Sequence, residues 1–175
     1  MAVEMVDIID LDDNVVRTVT RKQMRQEQLP HRASYILMVD SAGRILVEVR
    51  TLTKDYAPGM FDPCVGGVVQ HGEDGDITAE REVAEEVGVN IKLSDPNFHS
   101  LGKIAFEHHD FDGFTMAYLY LLQGDFITVR QASEVSGIMY LSPEELTRLK
   151  DQCTVDSYRA FEEILRRARE RGIAI

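Results

Sequence analysis

The chain has 175 residues, 44% hydrophobic and 28% charged, which is the profile of a soluble globular protein long enough to bury one proper core. Its 30 acidic and 19 basic residues give a net charge of −11, which disfavours nonspecific binding to nucleic acid or an anionic membrane and obliges an anionic ligand to find a local cluster of cations. No stretch approaches the ~20 apolar residues of a membrane span, and no basic run precedes an apolar one. Cys64 and Cys153 lie far apart without metal-ligand spacing, which suggests a reducing, cytoplasmic setting and no zinc site.

Residues 6–9 and 15–19 are β-rich runs around Asp10-Leu11-Asp12-Asp13-Asn14, the pattern of a hairpin. Residues 21–28 are polar and helix-prone and stop before Pro30. Residues 34–39 and 44–49, joined through Asp40-Ser41-Ala42-Gly43, predict a second hairpin with a glycine turn. A loop with Pro58-Gly59 follows, and residues 66–75 hold four glycines, which predicts a loop whose backbone can approach a metal or a phosphate. Next comes a helix, with Asp76 as its expected N-cap and Gly88 as its left-handed stop. Strand signals then fall at 91–93, 100–107, 114–122 and 138–141. Ser142-Pro143-Glu144-Glu145 is a capping box with proline at the first helical position, and a last helix is expected over about 155–171, where Tyr158, Phe161, Leu165 and Ala168 recur at helical spacing. Tyr118, Tyr120 and Phe161 are expected in the core rather than against a base. No linker or repeat divides the chain, so residues 1–175 are expected to form one domain.

The most informative stretch is Gly67-Val68-Val69-Gln70-His71-Gly72-Glu73, seven further residues, and then Arg81-Glu82-Val83-Ala84-Glu85-Glu86-Val87-Gly88-Val89. At about 100° per residue, Glu82, Glu85 and Glu86 share one helix face, opposite a stripe of Val83, Ala84 and Val87 with Ala79 at its edge. Three like charges that close weaken an isolated helix. They suit a hard cation, because Mg²⁺ takes oxygen ligands and shares its shell with water and substrate phosphates. On this pattern the carboxylates face solvent and the aliphatic stripe packs on a sheet.

The spacing G-x5-E-x7-R-E-U-x-E-E-x-G-U, with U aliphatic, resembles the signature of the Nudix hydrolases and is complete over residues 67–89. The resemblance implies an α/β fold, an α/β/α sandwich around a mixed β-sheet, here with an N-terminal β-hairpin extension at about 5–20 and C-terminal helices at about 143–171. It implies cleavage of a diphosphate linkage in a small molecule, a nucleotide or nucleotide derivative, by a metal-activated water, with Mg²⁺ or alternatively Mn²⁺ as cofactor. Glu82, Glu85 and Glu86 match the family's metal-binding glutamates, joined by a backbone carbonyl near Gly66 or Gly67. Glu73 and Arg81 match residues that brace the loop and helix. The general base stays open among Glu82, Glu107 and Glu134, the last lying ahead of strand 138–141. Arg50 and Lys54 are the candidate substrate-binding cations. His71, His108 and His109 could approach the site without any spacing that demands it. The superfamily's habits also allow a homodimer.

Outside the motif, His31-Arg32-Ala33, Arg50, Lys54 and Pro58-Gly59-Met60-Phe61-Asp62 resemble a branch that holds type I isopentenyl-diphosphate isomerase and bacterial Nudix hydrolases. The isomerase places a catalytic cysteine just before the motif's first glycine, where this chain has Gly66, and Cys64 comes two residues too early. The histidine that should follow that glycine is Val68, and none precedes His31. Isomerisation is therefore the disfavoured alternative, and His31 is expected to be a hydrogen-bonded structural residue. A non-catalytic binding module is a further alternative, opposed by the intact glutamates.

Overall fold

The computed structural model describes residues 2–108 and 113–175; His109 lies outside the described residues. In chain order the elements are β1 Met5–Ile9, β2 Val15–Thr20, α1 Arg21–Glu27, β3 His31–Val39, β4 Ile45–Arg50, β5 Phe61–Asp62, β6 Val65–Val68, α2 Gly75–Val87, β7 Phe98–Glu107, β8 Phe114–Gln123, β9 Val135–Leu141, α3 Pro143–Arg148, a 3-10 turn at Lys150–Gln152, and α4 Val155–Glu170.

The centre of the mixed sheet is β3. It runs parallel to β8, in register from His31 opposite Thr115 to Val39 opposite Gln123, and antiparallel to β6 on its other edge. Strand β7 extends the sheet beyond β8, and the β1–β2 hairpin joins β3 through Ile8 and His31. Alternation along β3 assigns the two layers. Tyr35, Leu37 and Val39 pack with Tyr158, Phe161 and Ile164 of α4, whereas Ile36 and Met38 pack with Ala79, Val83 and Val87 of α2. The result is the expected sandwich of helices on both faces of a mixed sheet, with the N-terminal hairpin present. A third cluster of Val6, Ile8, Val19, Met24 and Val68 ties the hairpin and α1 to β6. The hairpin turn is tied down too: Asp13, at φ 66°, accepts from Arg32 at 2.6 Å, from Tyr118 at 2.5 Å and from Lys103.

One local expectation holds only in part and three are corrected. The second hairpin is present with its glycine turn, Gly43 at φ 74°, but it is short, with Val39 and Ile45 as its one registered pair. Beyond that pair β6 takes the edge of β3, while β9 and β5 take the edges of β4, so the two strands part and leave a cleft between them. Gly66 and Gly67 belong to strand β6 rather than to a loop. Residues 91–93 are not a strand: the Leu93 amide donates to Glu80 at 2.8 Å, and Ile91 and Leu93 pack against the core beneath α2. The N-cap of α2 is Asp74, whose carboxylate accepts from the Ile77 amide at 2.9 Å, and Asp76 instead accepts from the Tyr120 hydroxyl at 2.7 Å. A side chain from β8 thus claims the acid that local pattern alone assigns to the cap. The Gly88 stop, at φ 72°, and both halves of the Ser142–Glu145 capping box are present.

Candidate active site

Helix α2 is clamped at its first turn. Ser34 donates to the Gly75 carbonyl at 2.8 Å, and Gly75 lies so close to β8 that a Cβ there would come within 2.5 Å of the Tyr118 ring. Arg81 braces the same end from the side. Its guanidinium donates to Glu73 at 3.0 Å, to Glu82 at 2.8 Å and to Glu85 at 3.1 Å, while Glu73 also accepts from Thr78 at 2.8 Å. Burial acts to raise the Glu73 pKa, but the bonds from Arg81 and Thr78 prevail and hold it below the usual range.

Strand β6 brings bare backbone to the helix. A Cβ on Gly67 would stand 2.5 Å from the nearer Glu82 carboxylate oxygen, and the Gly66 amide donates to Glu86 at 3.3 Å. Gly66 has φ 154°, and a Cβ there would sit 1.9 Å from the Ser34 carbonyl oxygen across the strand pair. Glycine at 66 therefore permits the sheet, and glycine at 67 leaves room for a carboxylate.

Across the cleft stands Glu48 of β4, two residues beyond Leu46 and so on the α2 side of its strand. It is 3% exposed and faces Glu86, which is 5% exposed. The expectation of a solvent-facing carboxylate surface thus holds for Glu85, which is exposed, and fails for Glu86, which lies within the buried side of α2. The approach of β4 explains this, because a helical wheel has no knowledge of what packs beside the helix. Burial raises the pKa of Glu82, Glu86 and Glu48, and repulsion among the acids adds to it.

Cations border the cluster. Lys54 pairs with Glu134 and stands 4.0 Å from Glu86. Glu134 is carried there by the loop after β8, which is anchored to the end of α2 by Gln131 donating to the Glu86 carbonyl at 2.9 Å. Burial opposes ionisation of Glu134, but the Lys54 bond outweighs it and its pKa falls. Arg50 is committed elsewhere. It donates to Asp62 at 2.6 Å and to the carbonyls of Tyr56 at 2.8 Å and Ala57 at 3.2 Å, which shapes the loop between β4 and β5. The fold thus gathers Glu82, Glu86, Glu134, Lys54 and Gly67 at one cleft, with Glu85, Glu73 and Arg81 beside it and Arg50 at its rim.

Other candidates lie apart. His31 donates from Nδ1 to the Leu29 carbonyl at 2.9 Å, and burial drives its pKa down to about 4. His71 pairs with Asp7 at 2.7 Å, His108 meets Thr115 at 3.1 Å, and the Glu107 carbonyl accepts from Arg159. Cys64 packs with Tyr158 and Phe161 on the α4 face, where burial pushes its thiol up. Sequence reasoning missed Glu48 and the buried Asp62. For Glu48 a signal existed, one acid in the aliphatic run Ile45-Leu46-Val47-Glu48-Val49.

Among the described residues no three acid, histidine or cysteine side chains converge on one ion position, and Arg81 and Lys54 reach into the cluster. The donor chemistry nevertheless fits a hard divalent cation. All the donors are oxygens, a buried Glu48 oxygen has no hydrogen-bond partner, and Gly67 leaves its backbone open beside Glu82.

A mixed sheet sandwiched by helices, with a glutamate-bearing α2 against a double-glycine strand, is the architecture of a Nudix domain, and the family's domain model matches residues 29–163. The chain belongs to the Nudix family and is a Nudix hydrolase. It is 39% identical over 158 residues to the uncharacterised Nudix hydrolase YfcD of Escherichia coli (strain K12), spanning 90% of this chain and 84% of that one. To a Yersinia pestis Nudix hydrolase it is 37% identical over 159 residues, 91% of this chain and 84% of that protein. Among solved structures, DR0079 from Deinococcus radiodurans superposes with a TM-score of 0.72 at 24% identity, over 91% of this chain and 98% of that one, a likeness of fold. No helix among the described residues is long and apolar enough to cross a membrane.

Proposed function

We propose that this protein hydrolyses the diphosphate linkage of a nucleotide or nucleotide derivative with the help of Mg²⁺ or Mn²⁺. The observation that carries the proposal is the meeting of Glu82 and Glu86 with the bare backbone of Gly66 and Gly67 at a cleft bordered by Lys54. Glu82, Glu86 and the Gly67 carbonyl would hold the cation, with Glu85 as the neighbouring third carboxylate. When bound, the cation offsets charge on the diphosphate and lowers the pKa of water. Lys54, paired with Glu134, would leave it for a substrate phosphate, which would free the Glu134 carboxylate to take the proton of the attacking water. Arg50 would act by fixing the loop that carries Lys54. Water adds to one phosphorus, the bridging P–O bond breaks, and two phosphate-bearing products leave.

The whole chain 1–175 is proposed to act as one cytoplasmic unit, alone or as a homodimer, on a small molecule without nucleic acid or membrane. The N-terminal hairpin supports a kinship with the isomerase branch. The burial of Cys64 on the opposite face from α2 favours hydrolysis over thiol-dependent isomerisation. Nucleotide derivatives head the substrate panel because two proteins of this fold were solved with such ligands. The Nudix domain of Shewanella oneidensis NrtR binds ADP-ribose, and a bifunctional enzyme of Francisella tularensis was solved with AMP and a manganese ion. A phosphate-release screen with Mg²⁺ and Mn²⁺ over nucleoside di- and triphosphates, nucleotide sugars, ADP-ribose, NADH, coenzyme A and isopentenyl diphosphate tests the proposal. Metal-dependent turnover of one nucleotide class supports it, and conversion of isopentenyl diphosphate to an isomer without hydrolysis refutes it.

A further inference from the structure

Among the described residues, Oε1 of Glu48 is the buried side-chain oxygen that lacks any hydrogen-bond partner. Leaving a buried carboxyl oxygen without a hydrogen-bond partner is costly. The cations nearby do not relieve it. Lys54 is engaged by Glu134 and Glu86, and Arg50 by Asp62 and two carbonyls. The partner Glu48 does face is another carboxyl, that of Glu86. Its place in β4 gives a reason for this. Glu48 is carried to the cleft by the parting of β3 and β4, directly opposite the glutamates of α2, from a strand that the motif does not include.

We propose that Glu48 is an additional oxygen ligand of the divalent cation held by Glu82 and Glu86, supplied from strand β4 across the cleft. This rests on the reading of α2 as the metal-holding helix. A cation gripped from both sides would draw β4 and its partner β9 toward α2 and β6, so metal binding would stiffen the cleft as well as charge it. The added carboxylate also accounts for an otherwise unfavourable feature, two buried acids face to face, because a doubly charged ion satisfies both.

The test is Mn²⁺ binding to the full chain without substrate, followed by electron paramagnetic resonance and calorimetry, in the wild type, Glu48→Gln, Glu48→Asp and Glu86→Gln. A glutamine at 48 keeps the shape and can still donate a hydrogen bond to Glu86, so a purely structural Glu48 would leave Mn²⁺ affinity unchanged. The proposal expects Glu48→Gln to weaken Mn²⁺ at least about tenfold, with Glu48→Asp between it and wild type. It also expects the metal-free Glu48→Gln protein to melt at or above the wild-type temperature, since one of two facing carboxyls is gone. Affinity within twofold of wild type in Glu48→Gln, or a lowered melting temperature of that metal-free variant, overturns the proposal. If Glu86→Gln loses Mn²⁺ while Glu48→Gln keeps it, the Glu48 assignment falls alone. If wild type and Glu86→Gln bind Mn²⁺ equally, the metal role of α2 falls and takes Glu48 with it.

Discussion

Adjacent glycines in β6 should respond oppositely to the same added methyl group. At Gly66 the new Cβ would lie 1.9 Å from the Ser34 carbonyl oxygen and 2.9 Å from its carbon, both backbone atoms of the central strand, at a φ of 154°. Nothing at that contact can rotate away, so the β3–β6 pairing must open. Strain of a side chain in that backbone region costs about 1–3 kcal/mol and overpacking about 1–3 more. Gly66→Ala should therefore lose about 4 kcal/mol, or about 10 °C in melting temperature for a chain of this size. At Gly67 the clash is with the Glu82 carboxylate, 2.5 Å away, which is the far end of a flexible side chain. Gly67→Ala should fold with a loss near 1 kcal/mol, within a few degrees of wild type. Displacing Glu82 by about an ångström should nevertheless cost on the order of 100-fold in turnover. Thermal unfolding and metal-dependent phosphate release, measured on both variants, separate the two effects. A Gly67→Ala protein with wild-type turnover would refute the placement of Glu82 at the reaction centre. A Gly66→Ala protein with wild-type stability would refute the strand geometry.

Cys64→Ala should leave hydrolysis nearly unchanged while costing about 1 kcal/mol of stability for the lost packing; a collapse of activity in folded protein would restore thiol chemistry. Asp74→Ala should cost about 1 kcal/mol through the lost cap of α2, by chemical denaturation; a cost confined to cap loss at Asp76 would reinstate the sequence-based assignment. His31 has a folded pKa of about 4 against about 6.5 unfolded, so the unfolded chain binds the extra proton between those values. Its contribution is fully present above pH 6.5 and is lost as pH falls toward 4, by up to about 3 kcal/mol. His31→Gln should flatten the stability profile in that window, and an unchanged slope would show that His31 is not held neutral.

The motif made α2, its Gly88 stop and its three glutamates legible, because each rests on local spacing along one helix. The strands were legible where apolar runs were long, as in β8, whose nine paired positions with β3 form the centre of the sheet. What stayed hidden was decided by partners distant in sequence. Asp76 is the cap that local pattern selects, until Tyr120 of β8 claims it and the cap falls to Asp74. The residues of β3 and β4 look like a long hairpin, but only their turn end pairs before β6 and β9 take the remaining edges. Glu86 looks exposed on a helical wheel and is buried because β4 brings Glu48 against it. The cleft is a product of this nonlocal pairing, and so is the assignment of Lys54 to Glu134, 80 residues along the chain.

The most direct measurement is turnover of a diphosphate substrate by wild type and by Glu86→Gln, each with and without Mg²⁺, on protein shown to be folded. Wild-type turnover that needs the metal, reduced by about 1,000-fold or more in Glu86→Gln, is the expected result. Equal turnover by the two proteins in Mg²⁺, or wild-type turnover indifferent to a chelator, would contradict the assignment of the reaction to the glutamates of α2.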